Sequence, residues 1–334
     1  MKVSVLGAGQ WGTALAQVLC DAGNDVLLWG RNNDVVHEIN SIHKNSKALG
    51  VAQLPDGLRA TSTINAAFEH GDVVVLAVPA QSLRANLSEW KPLFRSGVPI
   101  VSSLKGIELS SFLRMSQIIE EVLGISSDQI AILTGPNLAK EVVLRQPAGA
   151  VSASTSSALA SKIATIFGNS YFRVYTSSDV IGCELAAAAK NVIALAVGIS
   201  VGMGYGENTQ ALVITRGLNE LTKLGISQGA EPMTFVGLAG VGDLLATCGS
   251  PLSRNRSFGE ILGKTGSMER ANSEIRSTVE GVATASAISE YARAKTMDLP
   301  IMSAVAAVVR NTITPEQAMI GLMKITTGAE SNFQ

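Results

Sequence analysis

The sequence predicts an α/β fold in which an N-terminal domain with a doubly wound, mostly parallel sheet precedes an all-helical C-terminal domain. Short β-branched runs alternate with helical patterns up to about residue 155, and a glycine-rich turn follows the first run. The second half of the chain consists mainly of long apolar helical stretches. Alternating strands and helices are typical of βαβ units in a parallel sheet covered on both faces. We therefore expect one domain over residues 1–180 and a second over residues 181–334.

Six runs predict the strands of the first domain: "KVSVLG", "DVLLWG", "DVVVLAV", "PIVSSL", "QIAILTG" and "GAVSAS". Segments such as "GTALAQVLCDAG" and "FLRMSQIIEEVLG" have the apolar spacing of helices between them. After "FRVYTSSD" no clear strand pattern follows, so the rest of the chain is predicted to be helical.

Composition and charge exclude several classes of function. The chain has 26 basic and 27 acidic residues, a net charge of -1, so no general attraction to nucleic acid is expected. The three cysteines form no CxxC pair, which favours reduced thiols in the cytoplasm. The stretch "CELAAAAKNVIALAVGISVGMG" approaches the length of a membrane span, but Glu184 and Lys190 interrupt it. We expect a buried helix there, and a chain with neither a membrane span nor a signal peptide.

The glycine-rich turn has the spacing of a dinucleotide site. In "VSVLGAGQWGTALAQVL", Gly7, Gly9 and Gly12 follow a strand and open a helix. The first glycine permits a tight turn, the second a close approach of the backbone to a pyrophosphate, and the third close packing of helix on strand. Free N–H groups at the helix start would bind the phosphates. This context predicts an NAD(P)-binding site, with a purely structural turn as the alternative.

The end of the second predicted strand bears on the choice of cofactor. NAD-binding domains commonly place an acid there, but this strand ends in Gly30 and Arg31, and the nearest acid is Asp34. An arginine at this place accepts a 2′-phosphate, so we expect NADPH or NADH with NADPH favoured. An exposed surface arginine is the alternative.

Lysine is the expected proton carrier. The three histidines, His37, His43 and His70, all lie in the first domain before its later strands. No Cys/His cluster indicates a catalytic metal. Lys190, by contrast, shares a helical face with small or apolar residues such as Ala187. Burial lowers the pKa of a lysine toward the range useful for proton transfer, although a lysine at the rim of the helix is the alternative.

Other polar residues follow predicted strands or open a predicted helix. Lys105 comes after "PIVSSL", and Gly135 and Asn137 come after the next strand, where open α/β sheets bind ligands. An exposed loop lysine is the alternative for Lys105. Further on, "GLAGVGDLLATCGSPLSRNRSFGEILG" contains Asp243 and then "SRNR", whose donors suit an oxyanion such as phosphate. The alternative there is an ordinary helix start with Ser253 as its cap.

Together these stretches resemble NAD(P)-dependent glycerol-3-phosphate dehydrogenases of the soluble, bacterial type. The matching stretches are "GAGQWGTALA", "SSLKGIE", "TGPNLAKE", "AAAAKNVIALAVG", "ITRGLNE", "GVGDLLATC", "SRNR" and "VEG". The resemblance implies a Rossmann domain and a helical domain. It also implies reversible hydride transfer between NAD(P)H and dihydroxyacetone phosphate, giving sn-glycerol 3-phosphate for glycerophospholipid synthesis, by a cytoplasmic homodimer.

The resemblance also implies roles for individual residues. Lys190 would be the proton donor and acceptor in contact with substrate, and Asp243 would orient it if the fold brings them together. The other substrate-binding residues would be Lys105, Gly135, Asn137, Asp243, Ser253, Arg254 and Asn255, the last three near the phosphate. The cofactor would contact Gly7, Gly9, Gln10, Trp11, Gly12, Arg31, Lys105, Ala139, Arg254 and Glu280. Asn137 stands where the family has Ser or Thr, and Gln10 where it has Ser or Asn.

Two other functions fit parts of this pattern. A β-hydroxyacid dehydrogenase combines the same kind of domains with a helical lysine, but "SRNR" and "GVGDLLATC" disfavour it. An NAD(P)-binding sensor without catalytic activity would need neither Lys105 nor Lys190.

Overall fold

The computed structural model describes residues 1–109, 111–275 and 278–325. The chain divides into two compact units, the first formed by residues 1–104 and 115–180 and the second by residues 105–114 and 181–334. The ten residues Lys105–Arg114 therefore belong to the second unit, although they follow a strand of the first. Nothing in the sequence indicated this excursion.

The first unit is built on one sheet. In the part of the chain that the structure describes, the sheet has eight strands in the order β3-β2-β1-β4-β5-β6-β7-β8. All neighbouring strands are parallel except β6 and β7, which are antiparallel. The predicted doubly wound, mostly parallel sheet is confirmed. The strands are β1 (Lys2–Leu6), β2 (Asp25–Trp29), β3 (Arg59–Thr61), β4 (Val73–Leu76), β5 (Ile100–Ser102), β6 (Ile130–Thr134), β7 (Ala148–Ala153) and β8 (Phe172–Ser177).

All six predicted strands are present, but two further strands lie at the edges of the sheet. β3 has three residues, "RAT", too few to show a pattern. β8, "FRVYTS", is mostly exposed or half-buried after Phe172, so it lacks the apolar run of a buried strand. Edge strands of this kind form because a neighbouring strand supplies hydrogen-bonding partners, which the local sequence does not reveal.

The strand order places a switch point between β1 and β4. The chain winds outward from β1 through β2 to β3, then returns to β4 on the other side of β1. In open α/β sheets ligands bind beyond the carboxyl ends of the strands at such a point. The helices of this unit are α1 (Gln10–Asp21), α2 (Asn33–Ile42), α3 (Ser46–Leu49), α4 (Ile64–His70), α5 (Leu83–Trp90), α6 (Met115–Leu123), α7 (Ala139–Val142) and α8 (Ser157–Phe167).

The second unit is helical, as predicted. Among the residues described, its only β pairing is an isolated bridge between Ile107 and Arg114. Its helices are α9 (Val180–Gly202), α10 (Glu207–Ser227), α11 (Asp243–Gly249), α12 (Arg254–Thr265), α13 (Met268–Glu274), α14 (Glu280–Ala294), α15 (Pro300–Val309) and α16 (Pro315–Met323). The predicted domain extends to residue 334, and its last nine residues lie outside the described ones.

Helix α9 forms the core of this unit. By length and composition it could cross a membrane, but 83% of its most apolar window is buried inside the protein. Its alanines, from Ala186 to Ala189, are fully buried. The prediction of a buried helix at this place is confirmed.

Close packing of α9 against α12 depends on glycine. A Cβ added at Gly198 would lie 2.0 Å from the Arg256 carbonyl oxygen, and one added at Gly263 would lie 2.1 Å from the Ile199 carbonyl oxygen. Only residues without side chains let two helix backbones approach so closely. The crossing brings the start of α12, which carries "SRNR", against the helix that carries Lys190.

Candidate active site

Two lysines meet on one buried carboxylate in the second unit. Lys190 Nζ on α9 donates a hydrogen bond to Asp243 Oδ1, and Lys105 Nζ donates to Asp243 Oδ2 at 2.8 Å. The side chain of Asp243 is 2% exposed and that of Lys190 6%, whereas that of Lys105 is 17% exposed. We call these three residues the Lys–Asp–Lys cluster. It joins residues that are 53 and 138 positions apart in the chain.

Burial and charge act in opposite directions within the cluster. Burial lowers the pKa of Lys190 to about 8, although the Asp243 carboxylate partly opposes that change. Burial alone would raise the pKa of Asp243, but the charges and hydrogen bonds of both lysines hold it below its usual range. Asp243 is therefore ionised at neutral pH, while Lys190 loses its proton at a lower pH than an exposed lysine does.

Thr247 completes the surroundings of the Lys190 amine. Its Oγ1 accepts a hydrogen bond from Lys190 Nζ at 2.7 Å and donates one to the Asp243 backbone carbonyl oxygen at 2.6 Å. Thr247 is not among the residues predicted from the sequence. Its spacing of four from Asp243 would have indicated a shared helical face, but only once the helix α11 was known.

A chain of amide hydrogen bonds ties four segments of the second unit together. Asn191 Nδ2 donates to the Lys105 carbonyl oxygen at 3.2 Å, and Asn255 Nδ2 donates to Asn191 Oδ1 at 3.0 Å. The Gly281 N–H in turn donates to Asn255 Oδ1 at 2.9 Å. The oxygen and one N–H of the Asn255 amide thus have partners within the protein, which leaves one N–H of that group for a ligand.

The "SRNR" segment forms the start of α12. Ser253 is its cap and accepts a hydrogen bond from the Arg256 N–H at 3.3 Å, so the capping interpretation is confirmed. Arg256 pairs with Glu260 at 3.2 Å. Arg254, the first residue of the helix, is exposed. The segment therefore presents a cation beside a helix N-terminus, a combination that suits an anion.

The three glycines of the dinucleotide turn behave as their spacing predicts. Gly7 has a φ of 126°, and an added Cβ would lie 2.5 Å from the Ala77 carbonyl oxygen. At Gly12 an added Cβ would lie 1.9 Å from the Gly7 carbonyl oxygen. Gly9, in contrast, has no atom within 4 Å of an added Cβ, so the backbone there is open to a ligand. These residues fit the pyrophosphate of a dinucleotide cofactor.

The start of α1 supports the same fit. Gly9 is its cap and has no side chain, so no side chain caps the N–H groups of the first turn, which begins with Gln10 and Trp11. The indole Nε1 of Trp11 is buried and has no hydrogen-bonding partner among the described residues. Arg31 lies at an exposed position directly after β2 and Gly30. The first unit thus offers donors for phosphate groups at two neighbouring strand ends.

The remaining predicted residues lie where strands or loops lead into helices. Gly135 follows β6 with a φ of 140°, and Asn137 Nδ2 donates to the Gly149 carbonyl oxygen at 2.9 Å. Asn137 Oδ1 is buried without a partner among the described residues. Ala139 is the first residue of α7, and Glu280 is the first residue of α14 in the second unit. Among the described residues, no group of three or more His, Cys, Asp or Glu side chains is arranged to hold a metal.

Two family models match the chain, one for each half. Residues 2–160 match the family model for the N-terminus of NAD-dependent glycerol-3-phosphate dehydrogenase, and residues 179–320 match the model for its C-terminus.

Curated relatives and solved structures match over nearly the whole chain. Glycerol-3-phosphate dehydrogenase (NAD(P)+) of Streptomyces coelicolor is 47% identical over 323 residues, which cover 97% of this chain and 96% of the relative. The enzyme of the same name from Corynebacterium jeikeium is 48% identical over 331 residues, covering 99% and 100%. The crystal structure of glycerol-3-phosphate dehydrogenase from Coxiella burnetii superposes with a TM-score of 0.92 at 33% identity, covering 97% and 98%. The chain belongs to the NAD-dependent glycerol-3-phosphate dehydrogenase family.

Proposed function

We propose that this protein catalyses the reversible reduction of dihydroxyacetone phosphate to sn-glycerol 3-phosphate with NADPH or NADH. The buried Lys–Asp–Lys cluster is the observation that carries the proposal, because the reaction needs a proton carrier and this cluster contains one with a lowered pKa. The glycine turn after β1 would hold the pyrophosphate of the cofactor. The names of relatives 46–48% identical to this chain support the same reaction.

The chemistry requires one hydride and one proton. A nicotinamide cofactor held by the glycine turn would supply the hydride to the ketone carbon, which would leave negative charge on the ketone oxygen. Lys190, as the ammonium form, donates a proton to that oxygen, so that the π bond of the C=O group is replaced by a C–H and an O–H bond while the C–O single bond remains, and Lys190 is left as the neutral amine. In the reverse direction the neutral amine of Lys190 accepts the hydroxyl proton. Lys105 adds a second positive charge that stabilises the developing alkoxide.

Asp243 and Thr247 would act through the lysines. The carboxylate of Asp243 accepts hydrogen bonds from both amines and so fixes where they point. Because it is ionised, it also offsets the mutual repulsion of two ammonium groups in a buried place. The hydrogen bond from the Asn191 side chain holds the backbone of Lys105 against α9.

We expect Arg254→Ala to lower kcat/KM for dihydroxyacetone phosphate by roughly 10- to 100-fold, the worth of a charge-assisted hydrogen bond. The reason is that Arg254 is exposed at the start of α12, where its guanidinium and the helix N–H groups suit the substrate phosphate. Steady-state kinetics with varied substrate measure the effect. Arg270→Ala removes another exposed arginine, paired with Glu274, and serves as the control. Wild-type kinetics for Arg254→Ala would leave "SRNR" as a helix start only.

We expect Arg31→Ala to raise the KM for NADPH much more than the KM for NADH. Arg31 is exposed directly after β2, where a guanidinium pairs with the 2′-phosphate that only NADPH carries. Titration of both cofactors against wild type and variant measures the ratio. Arg59→Ala, which removes an exposed arginine paired with Asp25 in the same unit, is the control. Equal effects on the two cofactors would show that Arg31 does not favour NADPH.

Cofactor oxidation in the presence and absence of dihydroxyacetone phosphate separates the candidate functions. The proposed enzyme oxidises NADPH or NADH only when this substrate is present. A β-hydroxyacid dehydrogenase would reduce NADP+ or NAD+ with a hydroxyacid and ignore dihydroxyacetone phosphate. A sensor would bind the cofactor and catalyse neither of these reactions.

We also propose the setting of the reaction. The three free cysteines support a cytoplasmic location, since reduced thiols persist there. The product would supply glycerophospholipid synthesis. The homodimer that the family resemblance implies stays a prediction.

A further inference from the structure

We propose that Asn45, between α2 and α3, is a positioning residue for the cofactor-binding turn. It would hold the Ala8 carbonyl so that the next N–H group faces the pyrophosphate. The inference rests on the proposed function in one respect, namely that the turn binds NAD(P)H.

The hydrogen bonds of Asn45 carry the inference. Its side chain comes from a loop 37 residues after Ala8 and is 1% exposed. Nδ2 donates to the Ala8 carbonyl oxygen at 3.0 Å and to Thr13 Oγ1 at 2.9 Å. Since the carbonyl oxygen only accepts hydrogen bonds, the NH₂ end of the amide must face the turn. Both of its N–H groups are therefore committed to the turn and to the first turns of α1.

Peptide geometry connects this contact to the cofactor. In a trans peptide the C=O of one residue and the N–H of the next point in opposite directions. By holding the Ala8 carbonyl, Asn45 fixes the Gly9 N–H so that it points in the opposite direction within that peptide plane. Backbone bonds anchor the flanking residues, with the Gly7 N–H donating to Trp29 and the Gly9 carbonyl accepting from Thr13. Asn45 is thus a side chain that sets the orientation of the peptide between them.

The unused end of the amide also favours a positioning role. Asn45 Oδ1 is buried and has no hydrogen-bonding partner among the described residues. A buried acceptor without a partner lowers stability, so an apolar side chain would pack at less cost. An apolar residue could not replace the N–H donors that this amide directs at the turn.

We expect Asn45→Ala to raise the dissociation constants of NADPH and NADH by the same factor, roughly tenfold, the worth of one or two neutral hydrogen bonds. Fluorescence titration of the enzyme without substrate measures both constants. The turnover number at saturating cofactor and the KM for dihydroxyacetone phosphate should stay within about twofold of wild type, since no chemical group is removed. Equal weakening of both cofactors separates this effect from that of Arg31, because the pyrophosphate is common to both.

Three further variants make the test specific. Asn45→Leu keeps the size of the side chain without its donors and should weaken binding as Asn45→Ala does. Thr13→Val removes the second acceptor but leaves the Ala8 contact, so it should change the dissociation constants by no more than about twofold. Asn40→Ala is the matched control, because Asn40 also bonds backbone in this unit, through Ala60 N at 2.8 Å and Ala60 O at 2.9 Å. It should lower thermal stability and leave cofactor binding unchanged.

Two results would overturn the inference. One is a folded Asn45→Leu or Asn45→Ala protein with the dissociation constants of wild type. The other is an Asn40→Ala protein that loses as much affinity, which would reduce Asn45 to a general stabilising role. Failure of the premise that the turn binds NAD(P)H is distinct, since then wild type itself would bind neither NADPH nor NADH. Failure of the proposed reaction alone would leave wild-type cofactor binding intact and would abolish only turnover of dihydroxyacetone phosphate.

Discussion

Lys190→Ala is expected to lower the turnover number for dihydroxyacetone phosphate reduction by roughly 10²- to 10⁴-fold, the usual contribution of a general acid–base group. Lys190 is the buried amine of the Lys–Asp–Lys cluster, with partners in Asp243 and Thr247. Without it the cluster keeps only the more exposed amine of Lys105, so the buried amine that protonates the ketone oxygen is lost. NADPH affinity should change little, because the cofactor turn belongs to the first unit. Turnover and NADPH binding are measured on the same folded sample.

The charge-conserving variant is the control. Lys190→Arg keeps the positive charge but stays protonated and is planar, so it should restore little activity. A Lys190→Ala protein with near wild-type turnover would show that another group carries the proton and would falsify the assignment.

The pH dependence of wild type gives a second readout for Lys190. Its pKa of about 8 lies below the ordinary lysine value of 10.5 because of burial. The ammonium form, which reduction needs, is complete below that pKa and is lost as pH rises through about 8. Turnover for reduction should therefore fall across this range, while glycerol 3-phosphate oxidation, which needs the neutral amine, should rise. Turnover measured in both directions from pH 6 to 10 shows whether reduction falls and oxidation rises over the same range.

Asp243→Asn is expected to have the second large effect, on stability and on the pH profile together. The variant leaves two lysine amines with no carboxylate between them, and breaking a buried ion pair costs about 3–5 kcal/mol. Because the Asp243 charge raises the pKa of Lys190, its removal should lower that pKa further. The decline in reduction should then begin at a lower pH than in wild type. Denaturant unfolding and the pH profile of turnover measure the two effects.

Thr247→Val is the matched control for Asp243. It removes one hydrogen bond to Lys190 Nζ but leaves the carboxylate, so it should cost only about 0.5–1.5 kcal/mol. An Asp243→Asn protein with wild-type stability and an unshifted profile would contradict the role given to the carboxylate.

Features carried by local pattern could be predicted from the sequence. The spacing of Gly7, Gly9 and Gly12 after a strand is sufficient to predict the turn, because an added Cβ would clash at Gly7 and Gly12 and the backbone at Gly9 is open to a ligand. The burial of Lys190 followed from the small residues three and four positions away on the same helix. Strands with continuous apolar runs, such as Val73–Leu76, were also evident, because such a run is a local pattern.

Contacts between distant segments could not be predicted. The Lys105–Asp243 pair spans 138 positions, and it exists because residues 105–114 belong to the second unit. Thr247 and Asn45 are ordinary polar residues until the fold places them beside Lys190 and Ala8. The type of a residue determines which hydrogen bonds its side chain can form. The path of the backbone determines which partner comes within reach. The sequence by itself thus determined the two domain types, the cofactor turn and the buried lysine. Only the tertiary structure decided which carboxylate, hydroxyl and amide groups surround them, because those partners meet through packing across the whole chain.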